Sequence, residues 1–330
     1  MSIMEKNIWD YNIQSHRSPT EIIESQVKLT GKLYNDLSLI SQQFGSSLHP
    51  CFRDSGHTET EIPYFSAISH RFDNFSIKIL CIALAGCPTR MVKFNNCELT
   101  PEQIDILVPC LNFEHVPWLQ IDWNPLPDNK FADLVREGSK VQLLSLRVSN
   151  LGDDAFRLIC DNLKSNKFLK TMDLYGNYVS NLAPLAEVLD ANRFLINLNI
   201  GKNLITDDGL SCLVGVFGKL EFPEDKVEEY RKKEKELAKI KAQKNRGKVL
   251  EPEAPADELI QDEESKQYFL LKNKVFRHLN ISFCCLTKCD NLKAILSHCL
   301  GNFKAVISFN PLPQEQVELL QKSFPNSLVI

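Results

Sequence analysis

The sequence predicts an α/β solenoid, short parallel strands coiled against outer helices, and two features of the chain predict it. The first is a phrase written seven times: two apolar residues two apart, then Asn, Cys or Ser three further on, then an apolar residue two beyond. Its copies are Val92-Phe94-Cys97-Leu99, Leu119-Ile121-Asn124-Leu126, Leu144-Leu146-Ser149-Leu151, Met172-Leu174-Asn177-Val179, Leu198-Ile200-Asn203-Ile205, Leu279-Ile281-Cys284-Leu286 and Ala305-Ile307-Asn310-Leu312. The second is their spacing. From one polar position to the next the steps are 27, 25, 28 and 26, then 81, then 26. The period suits one strand and one helix, and the long step is one repeat plus an insert of about 55 residues.

Such a phrase is the strand of a leucine-rich repeat. The polar position supports this independently of the apolar ones, because a short amide, hydroxyl or thiol there can fill the inside of a turn and bond neighbouring backbone. Repeats of this length with helices are ribonuclease-inhibitor-like. They close into a horseshoe with a parallel sheet on its concave side, since helices are wider than strands.

Residues 1–75 lack the phrase and are expected to be an N-terminal docking or capping segment. Within it Pro19 to Phe44 suits a helix: Ser18 can cap it, Pro19 fits its first turn, and Ile22, Ile23, Val27, Leu29, Leu33 and Leu37 form an apolar stripe. A solenoid end exposes its core, so a cap is needed, and the apolar run Ile77 to Leu84 supplies its closing layer. Residues 76–218 then hold this layer and repeats 1–5. Outer helices are expected at Ile104-Leu107-Leu111, Phe156-Ile159-Cys160-Leu163, Leu185-Val188-Leu189 and Leu210-Leu213-Val214-Phe217.

Residues 219–272 are the insert. Pro223 to Lys244 suits a long solvated helix with four-residue pairs such as Glu228 with Lys232 and Glu229 with Lys233. Gly247 to Pro255 is a Pro-containing linker, and Asp257 to Glu264 is acidic. From Glu224 to Lys248 ten bases face six acids, whereas Glu251 to Glu264 holds seven acids and no base. With few apolar positions, this arm is expected to bury little of itself: a solvated spacer, or a grip on a charged partner. Residues 273–330 complete the chain with repeats 6 and 7, the helix Leu292-Ile295-Leu296-Cys299 and a C-terminal cap.

The 330 residues are 43% apolar with a formal net charge of −4, too balanced to favour nucleic acid or a membrane. The opening MSIMEKNIWDYN has no basic region followed by an apolar core, and no later stretch is long and apolar enough to span a bilayer, so a cytoplasmic protein is expected. The 11 cysteines fall at repeat-like places and suit reduced core thiols. Cys284, Cys285 and Cys289 beside His278 and His298 invite zinc, yet they lack the paired short Cys loops of a structural site, and no metal is expected. Cofactors and small-molecule substrates are not expected either. There is no phosphate-cradling Gly loop and no nucleophile elbow. Asp122 and Asp173, two repeats apart and facing the concave side, suit binding better than paired-acid catalysis.

Binding is the chemistry that the concave strip offers. Strand alternation turns outward the residues between ladder positions: Lys93, Asn95, Gln120, Asp122, Arg147, Asp173, Tyr175, Asn199 and Asn280. The next residue of each repeat adds Trp123, Lys202, Phe283 and Phe309 at the edge of the strip. Aromatics beside Arg and acids are what interface centres favour. Packing under a neighbouring loop or cap is the alternative, strongest for Phe283 and Phe309.

Several stretches go beyond a generic repeat: WNPLPDNKFADL, LYGNYV with IGKNLITDDGL, EEYRKKEKEL and NKVFRHLNIS. Over about residues 90–310 they resemble the family of leucine-rich-repeat-containing protein seventy-one, with its lysine-rich interruption before the late repeats; the insert here is shorter than in that group. The resemblance implies a non-enzymatic protein of the motile-cilium axoneme. Its partners would be other axonemal proteins, of the radial spoke, the nexin-dynein regulatory complex or the central apparatus. Two alternatives stay open. A small-GTPase activator would use Arg90 just before the first strand, and a ribonuclease-inhibitor-like protein or ubiquitin-ligase adaptor would use the concave face, although residues 1–75 contain no recognisable F-box.

Overall fold

A computed structural model describes residues 28–53, 64–112, 116–244, 257–299 and 302–330. Its core is a leucine-rich-repeat solenoid. The strands β1 (Tyr64–Ile68), β2 (Met91–Asn95), β3 (Trp118–Gln120), β4 (Leu143–Ser145), β5 (Thr171–Asp173) and β6 (Asn197–Asn199) stack in sequence order. Past the insert, β10 (His278–Asn280), β11 (Lys304–Val306) and β12 (Leu328–Val329) complete a sheet of nine strands among the described residues. All described pairings within it are parallel and in register, Val92 opposite Leu119 opposite Leu144 opposite Met172 opposite Leu198 opposite Leu279 opposite Ala305. The apolar pairs of the phrase are buried between this sheet and the outer helices α2 (Asn74–Gly86), α3 (Pro101–Leu107), α4 (Asp128–Asp133), α5 (Asp153–Leu163), α6 (Ala183–Ala191) and α7 (Asp207–Ser211). Helices α9 (Asp290–His298) and α10 (Gln314–Ser323) back the last repeats.

The polar step does what its chemistry suggested. Asn177 donates through Nδ2 to the carbonyls of Leu146 and Leu174, both at 2.8 Å, and accepts at Oδ1 from the N–H groups of Ser149 (2.9 Å) and Leu151 (3.1 Å). Asn124 bonds in the same four ways to Phe94, Asp122, Cys97 and Leu99. One side chain thus satisfies backbone of two adjacent repeats in a place water does not reach.

Turning that side chain inward demands a left-handed residue just before it. Ser69, Asn96, Trp123, Val148, Gly176, Lys202, Phe283 and Phe309 all have φ between 51° and 74°. Their N–H groups keep the sheet's pairing going: Trp123 donates to Arg147 O and Val148 to Tyr175 O, each at 2.9 Å, and Lys202 to Ser282 O at 2.7 Å. Outside glycine this conformation costs about 1–2 kcal/mol, and Trp, Val and Phe bear that cost here.

A second asparagine ladder, absent from the sequence reading, runs along the opposite rim, where chain leaves the helices. Asn192 Nδ2 donates to Leu163 O (2.6 Å) and Asn166 O (2.7 Å), while its Oδ1 accepts from the N–H groups of Phe194 and Leu195. Asn166 and Asn273 occupy the same place in their repeats. The recurring NKF, NRF and NKVF were its signal.

The N-terminal expectation needs correcting in two places. Helix α1 is Leu33–Gln43, and residues 28–32 before it are not helical, Gly31 having φ 77°. Asp36 turns back from α1 to accept from Thr30 N and Oγ1 (2.7 Å each) and Gly31 N (3.0 Å), fixing that turn. Ser18, Pro19, Ile22, Ile23 and Val27 lie outside the described residues. Second, Tyr64–Ile68 is a repeat strand: Phe65-Ala67-His70-Phe72 is an eighth copy of the phrase, with His where Asn usually stands and 27 residues before Cys97. Phe52, Phe65, Phe72 and Phe94 pack edge to face or tilted beneath it, centroids 5.5–6.4 Å apart.

The insert buries more than the little expected of it, because a small sheet accompanies its helix. Strands β7 (Gly218–Phe222), β8 (Glu258–Gln261) and β9 (Tyr268–Lys272) form a separate antiparallel sheet ordered β7-β9-β8. Helix α8 (Val227–Lys244) leans on it through buried Val227 and through Tyr230, whose ring meets Phe222 edge-on at 5.4 Å. From Arg231 to Lys239 the helix is exposed, as the solvated-helix reading expects. Gly247 to Pro255 falls outside the described residues, but the acidic stretch after it contributes β8. The unit is rooted at Gly218, where a Cβ would lie 2.1 Å from His298 O and φ is 93°, so only glycine fits.

Its second root is ionic. Arg193, buried behind α6, donates from Nε and Nη2 to both carboxylate oxygens of Asp257 at 2.8–3.1 Å. Nη1 reaches the carbonyls of Leu189 and Asn192.

Candidate functional site

In-register pairing sets equivalent residues side by side, so the concave face consists of columns running across the strands. One column holds Lys93, Gln120, Ser145, Asp173, Asn199 and Asn280. Two residues later in each repeat come Asn95, Asp122, Arg147, Tyr175, Gly201 and Ser282, and then the left-handed position with Trp123, Lys202, Phe283 and Phe309.

The middle of the strip is a cluster of charge and ring. Arg147 Nε lies 4.0 Å from Asp173 Oδ2, its guanidinium carbon is 5.0 Å from the Tyr175 ring centre, and Tyr175 N–H donates to Asp173 Oδ1 at 3.0 Å. Burial raises the Asp173 carboxyl above its ordinary value, although the Tyr175 N–H and the Arg147 charge pull it down. Gly201 leaves room for that tyrosine, because a Cβ there would sit 3.2 Å from the ring and 3.0 Å from Ser282 O.

Not every expected contact residue faces out. Asp122 is only 4% exposed. Its oxygens accept from Gln120 Nε2 (2.6 Å), Ser145 Oγ (2.7 Å) and Arg147 N–H (2.9 Å), so it props the strand that carries Arg147. Asn199 and Asn280 accept from the N–H groups of Gly201 and Ser282 two residues on and stiffen their own turns. Gln120 also reaches Asn95 at 3.3 Å. Lys93, Arg147, Lys202, Trp123, Tyr175, Phe283 and Phe309 remain as the side chains with surface to offer.

The edge aromatics are not covered by any described segment. Trp123 is 56% exposed and Phe309 76%, while Phe283 stacks on Phe309 with centroids 4.3 Å apart and planes 12° from parallel. The sequence reading also missed a column. Extending the two-residue alternation backwards from each phrase gives Met91, Trp118 and Leu143, on the same face as Lys93, Gln120 and Ser145.

All eleven cysteines are free, and of these Cys285 alone is exposed. Burial pushes the Cys299 thiol up to about 12, and burial with the nearby Cys97 pushes Cys51 to about 11, so both are protonated at neutral pH and poor nucleophiles. Among the described residues no group of three or more His, Cys, Asp or Glu side chains is placed to hold a metal ion, and no helix is long and apolar enough to cross a membrane.

No family model matches the chain, and no curated protein matches it. Among solved structures, internalin C2 of Listeria monocytogenes is 15% identical over 90% of both chains, with a TM-score of 0.42. An internalin, inlF, of the same organism is 14% identical over 78% of this chain and 70% of that one, with a TM-score of 0.34. TLR13, from its complex with ssRNA13, is 12% identical over 76% of this chain, with a TM-score of 0.36; this chain covers 32% of that one.

Proposed function

We propose that the protein is a non-catalytic scaffold that holds partner proteins on its concave strip, and that it works in the axoneme of motile cilia. One observation carries the binding reading. Trp123, Phe283 and Phe309 are large, exposed and held at left-handed φ values of 56–60°, a combination that costs stability twice and that folding alone does not call for. Beside them Arg147 and Tyr175 form the kind of Arg-aromatic centre on which interfaces concentrate their energy. The sequence resemblance supports the axonemal address, with the radial spoke, the nexin-dynein regulatory complex and the central apparatus as candidate neighbours.

The charged insert offers a second contact away from the strip. Its helix displays Lys232, Lys235 and Lys239 to solvent, a surface whose attraction for acidic partners weakens with salt.

Replacing Trp123 and Tyr175 together by Ala should reduce incorporation into axonemes without unfolding the protein. Normal incorporation of that variant, or a protein absent from cilia that stimulates a small GTPase through Arg90, overturns the proposal.

A further inference from the structure

The N-terminal half of the concave face carries an apolar ridge that the strip above does not use. Met91, Trp118 and Leu143 are Cα partners on three adjacent strands, with Tyr64 continuing the row on β1. Met91 and Leu143 are half-buried, whereas Trp118 is 41% exposed. Beyond Leu143 the row turns polar with Thr171 and Asn197, so the ridge has a defined length.

Among the described residues the charges at its border are mostly basic. Arg90 and Lys170 stand exposed where the chain enters β2 and β5, and Lys93 lies one column further along β2. None of the three has an ion-pair partner among the described residues. In the segments 89–93, 117–120, 141–145 and 170–173 the one acid is Asp173, already set against Arg147.

Spacing selects the shape of the occupant. Neighbouring strands lie about 4.8 Å apart, so the ridge repeats at that interval and spans about 10 Å from Met91 to Leu143. An extended chain laid across the strands shows one side chain per face about every 6.7 Å and falls out of step at the second contact. An α-helix shows residues i, i+4 and i+7 at about 4.5–6 Å intervals, which stays in step over all three.

We propose that this ridge is the seat of an acidic amphipathic helix of a partner protein. Three apolar residues at i, i+4 and i+7 lie on Met91, Trp118 and Leu143, and flanking carboxylates meet Arg90, Lys93 and Lys170. The inference rests on the reading of the concave face as a protein-binding surface and narrows it to one class of partner at one end.

The test uses the full chain and three fluorescein-labelled helical peptides of about five turns: Leu at i, i+4, i+7 and i+11 flanked by Glu; the same composition scrambled; and the first peptide with Lys for Glu. Anisotropy should show binding of the first alone. Trp118→Ala should weaken it about tenfold or more, Arg90→Glu with Lys93→Glu should abolish it and admit the Lys peptide, and Trp123→Ala should leave it unchanged. Circular dichroism of each variant secures the fold. Equal binding of the scrambled peptide, displacement by an oligonucleotide of equal charge at equal concentration, indifference to Trp118→Ala, or no binding at all overturns the seat. Equal weakening by Trp118→Ala and Trp123→Ala also overturns it, by spreading the peptide over the whole strip. The broader concave reading fails separately, if the Trp123 and Tyr175 variant incorporates normally into axonemes.

Discussion

Breaking the pair of Arg193 with Asp257 should show that the insert is clamped to the solenoid, and the structure makes the two halves of the pair unequal. Arg193 is 8% exposed; Asp257→Ala leaves its guanidinium buried without a counter-charge, which costs about 3 kcal/mol, the low end of the range for such deletions because the carboxylate keeps some solvent contact. Arg193→Met costs less, about 1–2 kcal/mol. The carbonyls of Leu189 and Asn192 that Arg193 served still accept from Asn273 Nδ2 at 2.7 and 3.2 Å, and Asp257 keeps the Asn273 N–H at 3.2 Å. Once Met stands at 193, losing Asp257 should cost under about 1 kcal/mol, so a double-mutant cycle by urea unfolding should give a coupling of about 2 kcal/mol. The insert deletion follows the same logic. Gly218 and Lys272 are Cα partners of one antiparallel pair, so a two-residue turn can join them. The joined chain should fold but be weaker than the parent, and Arg193→Met should restore much of the loss. Additivity within about 0.5 kcal/mol, or a deletion as stable as the parent with Arg193 intact, refutes this account.

Asn177→Ala should cost about 1–3 kcal/mol, because four backbone groups lose their partner at once; equal urea midpoints for mutant and parent would deny the ladder its structural role. Val148→Gly should be nearly neutral, since relief of about 1–2 kcal/mol of left-handed strain offsets the entropy glycine adds to the unfolded chain, and a melting point several degrees lower would contradict the strain. At Asp153 burial alone would raise the carboxyl, but bonds from Asn181 N–H and from the Ser180 hydroxyl and N–H outweigh it and hold it below the ordinary value. At Asp207 burial is likewise outweighed, by Thr287 and the Lys288 N–H. A folded-state value below the unfolded one gives stability that is present above the unfolded value and lost as pH falls through the folded one. Asp207→Asn should therefore flatten the fall in urea midpoint between about pH 5 and pH 2; an unchanged slope would count against it.

The repeat itself was legible in the chain because each copy solves the same local problem with nearest neighbours. Leu, Ile, Val and Phe at two-residue spacing fill one face of a strand, and an Asn five residues after the first of them satisfies the turn that follows. Those rules place Leu144, Leu146, Leu174 and Ile200 at 0% exposure without reference to anything distant. Where the ladder letter varied, as with the exposed His70, the strand Tyr64–Ile68 was hidden from a search by residue type.

The rest depended on partners far apart in sequence. A charged, apolar-poor insert reads as solvated, yet Gly218–Phe222 finds Tyr268–Lys272 across the helix between them, and Arg193 finds Asp257 sixty-four residues on. Asp122, like Asp173, reads as an outward carboxylate of the concave strip but is consumed by Gln120, Ser145 and the Arg147 N–H. Periodicity determines which way a side chain points. Whether it then meets water or a neighbour is decided by the chain stacked beside it, and that is settled only when the strands lie in register.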